Sequence, residues 1–367
     1  MKKIYLLFAV LFSVNVFPVE AACELRPTDT APLTEATIYQ MPITIGKISV
    51  GPDVPIGQVI YRQTINIMKN RLPYIVGCDT YPIIKFYKYT QLPLPASAVK
   101  AEGINGTVYE TGLKGIGIAF WYSGNAFPTS QVLCGTVAVC VGTTGEGAFS
   151  DFSLVKIGPV EPGEIIASNL PSVEYTAGVS ESDSISVVKL SFTGSVSISV
   201  PSCQIEKPND VVSLGRHNIN EFNGKGSYTQ WKDASIRLIN CPFFYGNTNY
   251  TSAPAGTFDG ATINASSYSL RNAWSLKLTS GNGVIDSARG VISVSDTEDS
   301  AEGLGIQLAS SPDDTTYLNL SSNYTGAIPA DGSSSVTIPL YARYIQTSEV
   351  IKAGIANGFV SYTLEYK

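Results

Sequence analysis

Charged residues are scarce in this chain of 367 residues. It has 24 Lys and Arg, 30 Asp and Glu and one His, so charged side chains make up 15% of the sequence and the formal net charge is −6. An ordinary soluble domain carries about 25% charged residues. Because the balance is acidic and Lys and Arg form no cluster, nucleic acid and anionic membrane surfaces are not expected as partners.

Catalytic and cofactor-binding motifs are also lacking. The single histidine, His217, lies in a polar stretch, so Ser and Cys have no base with which to form a triad. Gly115 and Gly117 lack the third glycine of a dinucleotide fingerprint. No C-x-x-C pair indicates a zinc site. We therefore expect no enzyme, cofactor or metal, although a pair of converging carboxylates of the glycosidase type stays open as an alternative.

Long apolar runs are missing from the body of the chain. No later stretch approaches the roughly eighteen apolar residues of a membrane-spanning helix. At the front, Lys2 and Lys3 precede an apolar run over residues 4–17 and a small-residue site at 19–21. This pattern is typical of a secretory signal peptide, which we predict at residues 1–21. The remaining chain is expected to be exported and soluble.

The cysteine count agrees with export. An even number of cysteines in an exported chain predicts disulfides, here three. Cys203 and Cys241 have no other partner in the second half, and their bond would close a loop of about forty residues, worth about 4 kcal/mol. The first half allows Cys23–Cys78 with Cys134–Cys140, or Cys78–Cys140 with Cys23–Cys134. The six cysteines are Cys23, Cys78, Cys134, Cys140, Cys203 and Cys241.

Strand patterns are what the sequence has in abundance. Apolar and polar residues alternate over 188–192, 196–200, 336–344 and 360–366, which predicts half-buried strands. Pro339 indicates an unpaired edge in the third segment, because proline has no N–H to donate. With 33 Gly and 21 Pro in the chain, turn formers separate these runs. The sequence therefore predicts an all-β fold.

Length and cysteine distribution predict two β-sandwich domains. A chain of this size accommodates two domains of about 100–200 residues. A boundary near 194–199 leaves four cysteines on one side and two on the other. We expect a first domain at 22–196, a linker at 197–201 and a second domain at 202–367.

The second half resembles a known family. Its motifs follow the order seen in pilin subunits of the chaperone–usher pathway. Gly354 is fourteenth from the end and Tyr366 is penultimate, which resembles the pattern by which periplasmic chaperones grip such subunits. With a domain in front, the chain is similar to the two-domain fimbrial tip adhesins. The other motifs are Ser202-Cys203-Gln204-Ile205, Val212-Ser213-Leu214-Gly215, Ser235 to Cys241 and Leu340-Tyr341-Ala342-Arg343-Tyr344.

The resemblance implies that the second domain is an incomplete immunoglobulin-like pilin fold lacking its last strand. An apolar groove would then stay open until the next pilus subunit donates a strand. A periplasmic pilus chaperone and an outer-membrane usher are further expected partners. The residues expected to interact with the chaperone and the donor strand are Gly354, Val360, Tyr362, Leu364 and Tyr366.

The first domain resembles the lectin domains of these adhesins. Sugar binding needs aromatic faces together with short acids or amides. Thr80 replaces an aspartate of the mannose-specific adhesin, and Asn125 and Val139 replace a carboxylate and a tryptophan of the N-acetylglucosamine-binding lectins, so no particular sugar is predicted. Trp121 as a core residue and Asp79 as a turn residue are alternative interpretations. The candidate ligand-binding residues are Asp79, Tyr81, Trp121, Tyr122, Asn125, Ser150 and Asp151.

The function expected from these features is that of a fimbrial tip adhesin. It would pass through the periplasm to the fimbrium tip at the cell surface and bind a host glycan or glycoprotein. Because the mature chain begins Ala22-Cys23, a bond at Cys23 would hold its front in a folded domain, leaving no strand to donate. The alternative is a minor or adaptor pilus subunit whose front domain binds a protein.

Overall fold

The fold consists almost entirely of β-strands. The computed structural model describes residues 23–43, 46–67, 71–145, 150–246, 254–265 and 271–367. In those ranges it contains no α-helix, only two short 3-10 turns, Ala167–Asn169 and Ile219–Glu221. The predicted all-β fold class is therefore confirmed. The predicted signal peptide, 1–21, lies outside the described residues.

Sixteen strands lie between Cys23 and Ser199 in the described part of the chain. They are β1 Cys23–Leu25, β2 Thr37–Pro42, β3 Ile48–Ser49, β4 Val59–Ile65, β5 Pro73–Cys78, β6 Ile83–Gln91, β7 Tyr109–Glu110, β8 Ile116–Tyr122, β9 Asn125–Ala126, β10 Thr129–Cys134, β11 Val139–Thr143, β12 Ser150–Lys156, β13 Gly163–Ile166, β14 Ser172–Gly178, β15 Ser184–Thr193 and β16 Ser195–Ser199.

Thirteen more strands follow between Gln204 and Tyr366. They are β17 Gln204–Ile205, β18 Lys232–Asp233, β19 Ile236–Ile239, β20 Gly256–Phe258, β21 Ile263–Ala265, β22 Ala273–Ser280, β23 Val284–Asp286, β24 Val291–Ser293, β25 Leu304–Ala309, β26 Tyr324–Ala327, β27 Ser335–Ile338, β28 Tyr341–Gln346 and β29 Val360–Tyr366.

The front half folds around two packed sheets. One has the order β10-β6-β14-β15-β2, and the other contains β4-β12-β8-β7. Their inner faces meet through aromatic rings, since the ring of Phe192 lies 4.9 Å from that of Phe152 and 5.4 Å from that of Phe120. A smaller cluster containing Ala101, Ile104 and Trp121 packs beside this core. The second sheet is therefore covered by apolar contacts beyond those it makes with the first.

A small sheet with the order β1-β5-β11 closes one part of the front half, and two disulfides fix it. Cys23 and Cys78 are opposite one another in the β1–β5 pair and are bonded. The second bond, Cys134–Cys140, links the end of β10 to β11. The first of the two pairings left open by the sequence is therefore the one formed.

The rear half has its own core between three sheets. Their orders are β17-β19-β27, β18-β28-β25-β24-β23 and β26-β22-β29. Leu238, Leu276 and Ile338 are buried among them. Cys203 and Cys241 are bonded just outside the antiparallel β17–β19 pair, which confirms the predicted disulfide.

Pro339 has a different role from the one predicted. Residues 336–344 were expected to form one strand with an unpaired edge, but the chain forms β27 and β28, which belong to different sheets. Because proline cannot donate a ladder hydrogen bond, the switch between sheets occurs at this residue. Val336, Ile338 and Ala342 all reach the same core, so the alternation continues through the switch.

The two halves are connected by more than the chain passing between them. Strand β16 continues to Ser199, so part of the predicted linker 197–201 is a strand of the front half. Strand β20 of the rear half pairs in parallel with β4, and its Phe258 is fully buried in the front core. The domain limits at 196 and 202 stay a prediction, and the contacts show that the packing crosses them.

Candidate functional site

The loop between β5 and β6 carries the most accessible of the predicted ligand-binding side chains. It begins directly after Cys78, whose disulfide holds the end of β5 in place. Asp79 is exposed, and the ring of Tyr81 is 59% exposed beside Pro82. An acceptor and an aromatic face are therefore both presented to solvent on this loop.

Trp121 lies in the interior of the front half. It is buried on β8, and its indole N–H donates to Ser153 Oγ at 3.0 Å. The guanidinium of Arg62 lies 4.8 Å from the indole ring centre. These contacts match the interpretation of Trp121 as a core residue and leave its ring enclosed by protein.

Asp151 is opposite Trp121 in the β12–β8 pair and is also held by protein partners. Its carboxylate accepts from Arg62 at 3.0 and 3.2 Å and from Thr64 Oγ1 at 2.6 Å. The side chain is largely buried, so the carboxylate and the guanidinium stabilise each other away from most of the solvent. Arg62 is not among the residues predicted from the sequence, and no local pattern marks it, because β4 and β12 meet only in the fold.

Ser150 is buried beside an aromatic cluster. Its hydroxyl lies 2.7 Å from the hydroxyl of Tyr175, whose pKa is raised by burial. Tyr87 packs edge-on against Tyr175, and burial raises its pKa as well. Both phenols are therefore neutral at physiological pH. Ser150 provides a hydrogen-bond partner for the buried Tyr175 hydroxyl.

Tyr122 and Asn125 face each other in a tight hairpin. Between them, Ser123 and Gly124 have φ angles of 49° and 80°, as the two central residues of such a turn require. The ring of Tyr122 stacks on Tyr87 with centroids 5.1 Å apart and is half-buried. Asn125 is exposed. The hairpin therefore presents one amide and part of one aromatic ring.

The fold divides the seven predicted residues into two groups. Asp79 and Tyr81 lie between β5 and β6, whereas the other five lie on β8, β9 and β12 of another sheet. Sequence analysis also missed a row of exposed valines at 137, 139 and 141. A long stretch without charge around them was the signal that could have indicated it. In the described ranges, no three His, Cys, Asp or Glu side chains are grouped to hold a metal ion.

Strand β29 lies at the edge of its sheet, and among the described strands of the rear half it pairs only with β22. A groove of about 900 Å³ runs between the start of this strand and residues 206–214. Val360 and Tyr362 line it, and Leu364 packs on the same core. The apolar side chains deeper in the groove are Leu278, Ile292, Ile306, Leu308, Leu340 and Ala342.

Gly354 before this strand and Tyr366 at its end occupy constrained positions. A Cβ on Gly354 would lie 2.5 Å from the backbone nitrogen of Ala301, so only glycine fits there. Tyr366 is buried, and its backbone N–H donates to Asp53 Oδ2 of the front half at 2.9 Å. The end of β29 is thus packed against the front half, while its beginning borders the groove.

Two family models match different parts of the chain. The model of the fimbrial protein family matches residues 190–367, and that of the MrkD-like receptor-binding domain matches residues 41–160. A fimbria adhesin protein of Klebsiella pneumoniae is 26% identical over 336 residues, covering 89% of this chain and 91% of that protein. The chain is a two-domain fimbrial adhesin. The resemblance found in its motifs is thereby confirmed.

Solved structures similar to this adhesin include other fimbrial proteins. The CupB6 tip adhesin of Pseudomonas aeruginosa is 13% identical, with a TM-score of 0.34 over 93% of this chain and 94% of that chain. The CsuC–CsuE chaperone–tip adhesin complex of Acinetobacter baumannii is 12% identical, with a TM-score of 0.25 over 94% of this chain and 100% of that chain. In the described part of the adhesin, no helix is long and apolar enough to cross a membrane.

Proposed function

We propose that this adhesin sits at a fimbrium tip and is completed by a β-strand donated by the next pilus subunit. The observation that carries the proposal is the open edge of β29 beside a groove of about 900 Å³ whose floor is apolar. Such an edge is an aggregation hazard unless another strand covers it. The rear domain would then be an immunoglobulin-like sandwich that lacks one strand of its own.

The size of the groove supports near-permanent assembly. An extended strand entering it would place alternate side chains on Leu278, Ile306 and Leu308. Burying four or five apolar side chains at about 1.5–3 kcal/mol each gives on the order of 10 kcal/mol as an upper estimate. A periplasmic chaperone would cover the same edge before an outer-membrane usher delivers the subunit.

The position at the tip is supported by the other end of the chain. Strand β1 pairs with β5, and Cys23 is bonded to Cys78. The residues from Cys23 onward are therefore built into the front domain and are not free to enter a neighbour's groove. A first described strand that stays within its own fold suits the end of a fibre, which is the position we propose.

Matched charge substitutions on β29 test the strand-accepting role. Val360 lines the groove, whereas Thr363 is exposed on the other face of the same strand. In V360K, burying an ammonium group in the groove should lower chaperone co-purification and incorporation into fimbriae about tenfold. T363K should match the wild-type chain. Wild-type incorporation of V360K, or a protease-resistant monomer made without chaperone, would overturn the proposal.

We further propose that the front domain binds a host glycan or glycoprotein through its exposed candidates. Tyr81 offers an aromatic face beside the Asp79 carboxylate, and Asn125 offers a separate acceptor on the β8–β9 hairpin. A glycan array probed with the chaperone-bound full chain should show one glycan class, with binding lost in Y81A. Y228A, in which an exposed tyrosine of the rear domain is replaced, is the control. Absence of binding to every glycan on the array would favour the alternative, an adaptor that binds a protein.

A further inference from the structure

One segment of the front domain carries no charge and ends in an edge strand. From Gly115 to Gly145 the chain has no Asp, Glu, Lys, Arg or His, in a protein with 54 Asp, Glu, Lys and Arg residues (24 plus 30). The segment includes β11, the outermost strand of the β1-β5-β11 sheet. Edge strands are normally protected from pairing by charges, proline or a cover. Strand β11 contains neither a charge nor a proline.

The hydrogen-bond register shows which backbone groups of β11 point outward. Cys78 N–H donates to Ala138 O, and Thr144 N–H donates to Leu72 O, each in register with the β11–β5 ladder. In an antiparallel pair, residues alternate between bonding to the partner strand and pointing away from it. Residues 138, 140, 142 and 144 therefore bond toward β5. Val139 and Val141 direct their N–H and C=O groups to the open edge.

The same valines also present their side chains to solvent. Val139 is 46% exposed and Val141 is 68% exposed on the outer face of the sheet. The disulfide from Cys140 to Cys134 does not cover them, because Cys140 is buried on the inner face. Strand β11 thus combines unpaired outward backbone groups with exposed β-branched side chains.

The charges around this edge lie at its two ends and not along it. Asp79 directly follows Cys78, which bonds to Ala138, and the side chain of Arg71 lies beside Gly145. Between these ends, a partner strand with a charge opposite Val139 or Val141 would lose hydration without gaining a counter-ion on β11. An uncharged strand would lose little and would gain both backbone bonds and apolar contact. The absence of charge along β11 therefore favours an uncharged partner.

We propose that β11 is a docking edge for an extended, uncharged polypeptide segment of the host receptor, which adds to the sheet as a further strand. Its backbone would pair with Val139 and Val141, and its alternate side chains would contact theirs. The edge begins beside the Asp79–Tyr81 loop, because Ala138 bonds to Cys78. One glycoprotein could engage both places, but the inference does not depend on any sugar.

Two substitutions at Val141 distinguish strand addition from non-specific hydrophobic binding. V141P removes an outward N–H without breaking the bonds to β5, and edge positions tolerate proline. V141K adds a charge at the same place. I38K is the matched control, since Ile38 is 71% exposed on β2, another edge strand of the same domain. Co-purification with the chaperone and intact disulfides show that each variant has folded.

The probe is a fluorescent octapeptide of alternating threonine and valine, titrated against the chaperone-bound full chain. We expect V141P and V141K to weaken its binding at least about tenfold, with I38K unchanged. A second peptide, N-methylated at alternate residues, lacks half of the backbone N–H donors. Its binding to the wild-type chain should be as weak as the binding of the unmethylated peptide to V141P.

Three results would overturn the inference. The first is absence of peptide binding to the wild-type chain at millimolar concentration, and the second is equal binding of the N-methylated peptide. The third is a wild-type dimer that V141P converts to a monomer, which would identify a second copy of the chain as the occupant. Binding of glycans alone, unaffected by V141P, leaves the proposed function intact while the peptide results decide this inference.

Discussion

At the scale of single residues, the front domain holds its polar side chains through partners that are distant in sequence. Asp151 is fixed by Arg62 and Thr64, and Arg62 also lies over Trp121. Removing one member of such a partly buried pair leaves the other uncompensated. These side chains therefore determine the shape of the domain, whereas Asp79, Tyr81 and Asn125 remain accessible to a ligand.

The single histidine predicts a measurable pH dependence in the rear domain. The hydrogen bond from His217 to Glu221, together with that to Leu214 O, raises the His217 pKa above 6.5. Because the pKa is higher in the folded than in the unfolded state, the stabilisation is complete below that value. It is lost as the pH rises through the folded-state pKa.

We expect E221Q to lower the His217 pKa and to reduce this pH dependence. The chain has only one histidine, so an NMR titration of its ring protons is unambiguous. E298Q, at an exposed acid elsewhere in the rear half, should leave the titration unchanged. An identical His217 pKa in E221Q and the wild-type chain would contradict the assigned cause.

At the scale of elements, strands with local signals could be predicted and those built from distant segments could not. The alternation at 360–366 predicts β29, because one face of that strand packs on the core. The burial of Trp121 depends on residues 101–108, which fold back beside β8 and cover its ring. The alternation of apolar and polar residues within a strand does not indicate which distant segment will cover it. The exposure of Tyr81 and the enclosure of Ser150 likewise follow from long-range packing.

Strand β20 owes its place to a pairing with β4, a strand far away in sequence. It adds to the edge of β4 and places Phe258 in the core of the other domain. We predict that F258A destabilises the front domain by about 3–5 kcal/mol, because a large cavity opens in a core that otherwise stays in place. Hydrogen exchange at the amides of β4 and β12 should become faster.

Phe243 provides the comparison for this prediction, since its side chain is partly exposed in the rear half. F243A should leave exchange in β4 unchanged. If F258A and F243A affect β4 equally, Phe258 does not support the front core.

At the scale of the whole molecule, the two domains are joined by buried hydrogen bonds. Asn272 Nδ2 donates to Ser49 O of the front half at 3.1 Å, and Ser49 N–H donates to Gly246 O of the rear half at 3.0 Å. Within the rear half, Asn272 accepts from Gly246 N–H at 2.9 Å and donates to Lys367 O at 3.3 Å. The bond from Tyr366 N–H to Asp53 lies in the same region of contact. The domains are therefore expected to move as one body.

We predict that N272L loosens this junction. It leaves buried backbone groups unpaired at a cost of about 1–3 kcal/mol each, so the radius of gyration measured by small-angle X-ray scattering should increase. N209L, at an exposed site of the rear half, should not change it. A scattering curve for N272L that superimposes on that of the wild-type chain would contradict the prediction.

The insertion of Phe258 into the front core also bears on the order of events during secretion. A polypeptide crossing a membrane from its N-terminus delivers residues 23–199 before residues 200–258. Until the later segment arrives, β4 pairs only with β12 among the described strands and the pocket for Phe258 is empty. On this order of delivery, the core of the front half is completed only after about a third of the rear half has followed it, and the two halves are then already joined through Phe258.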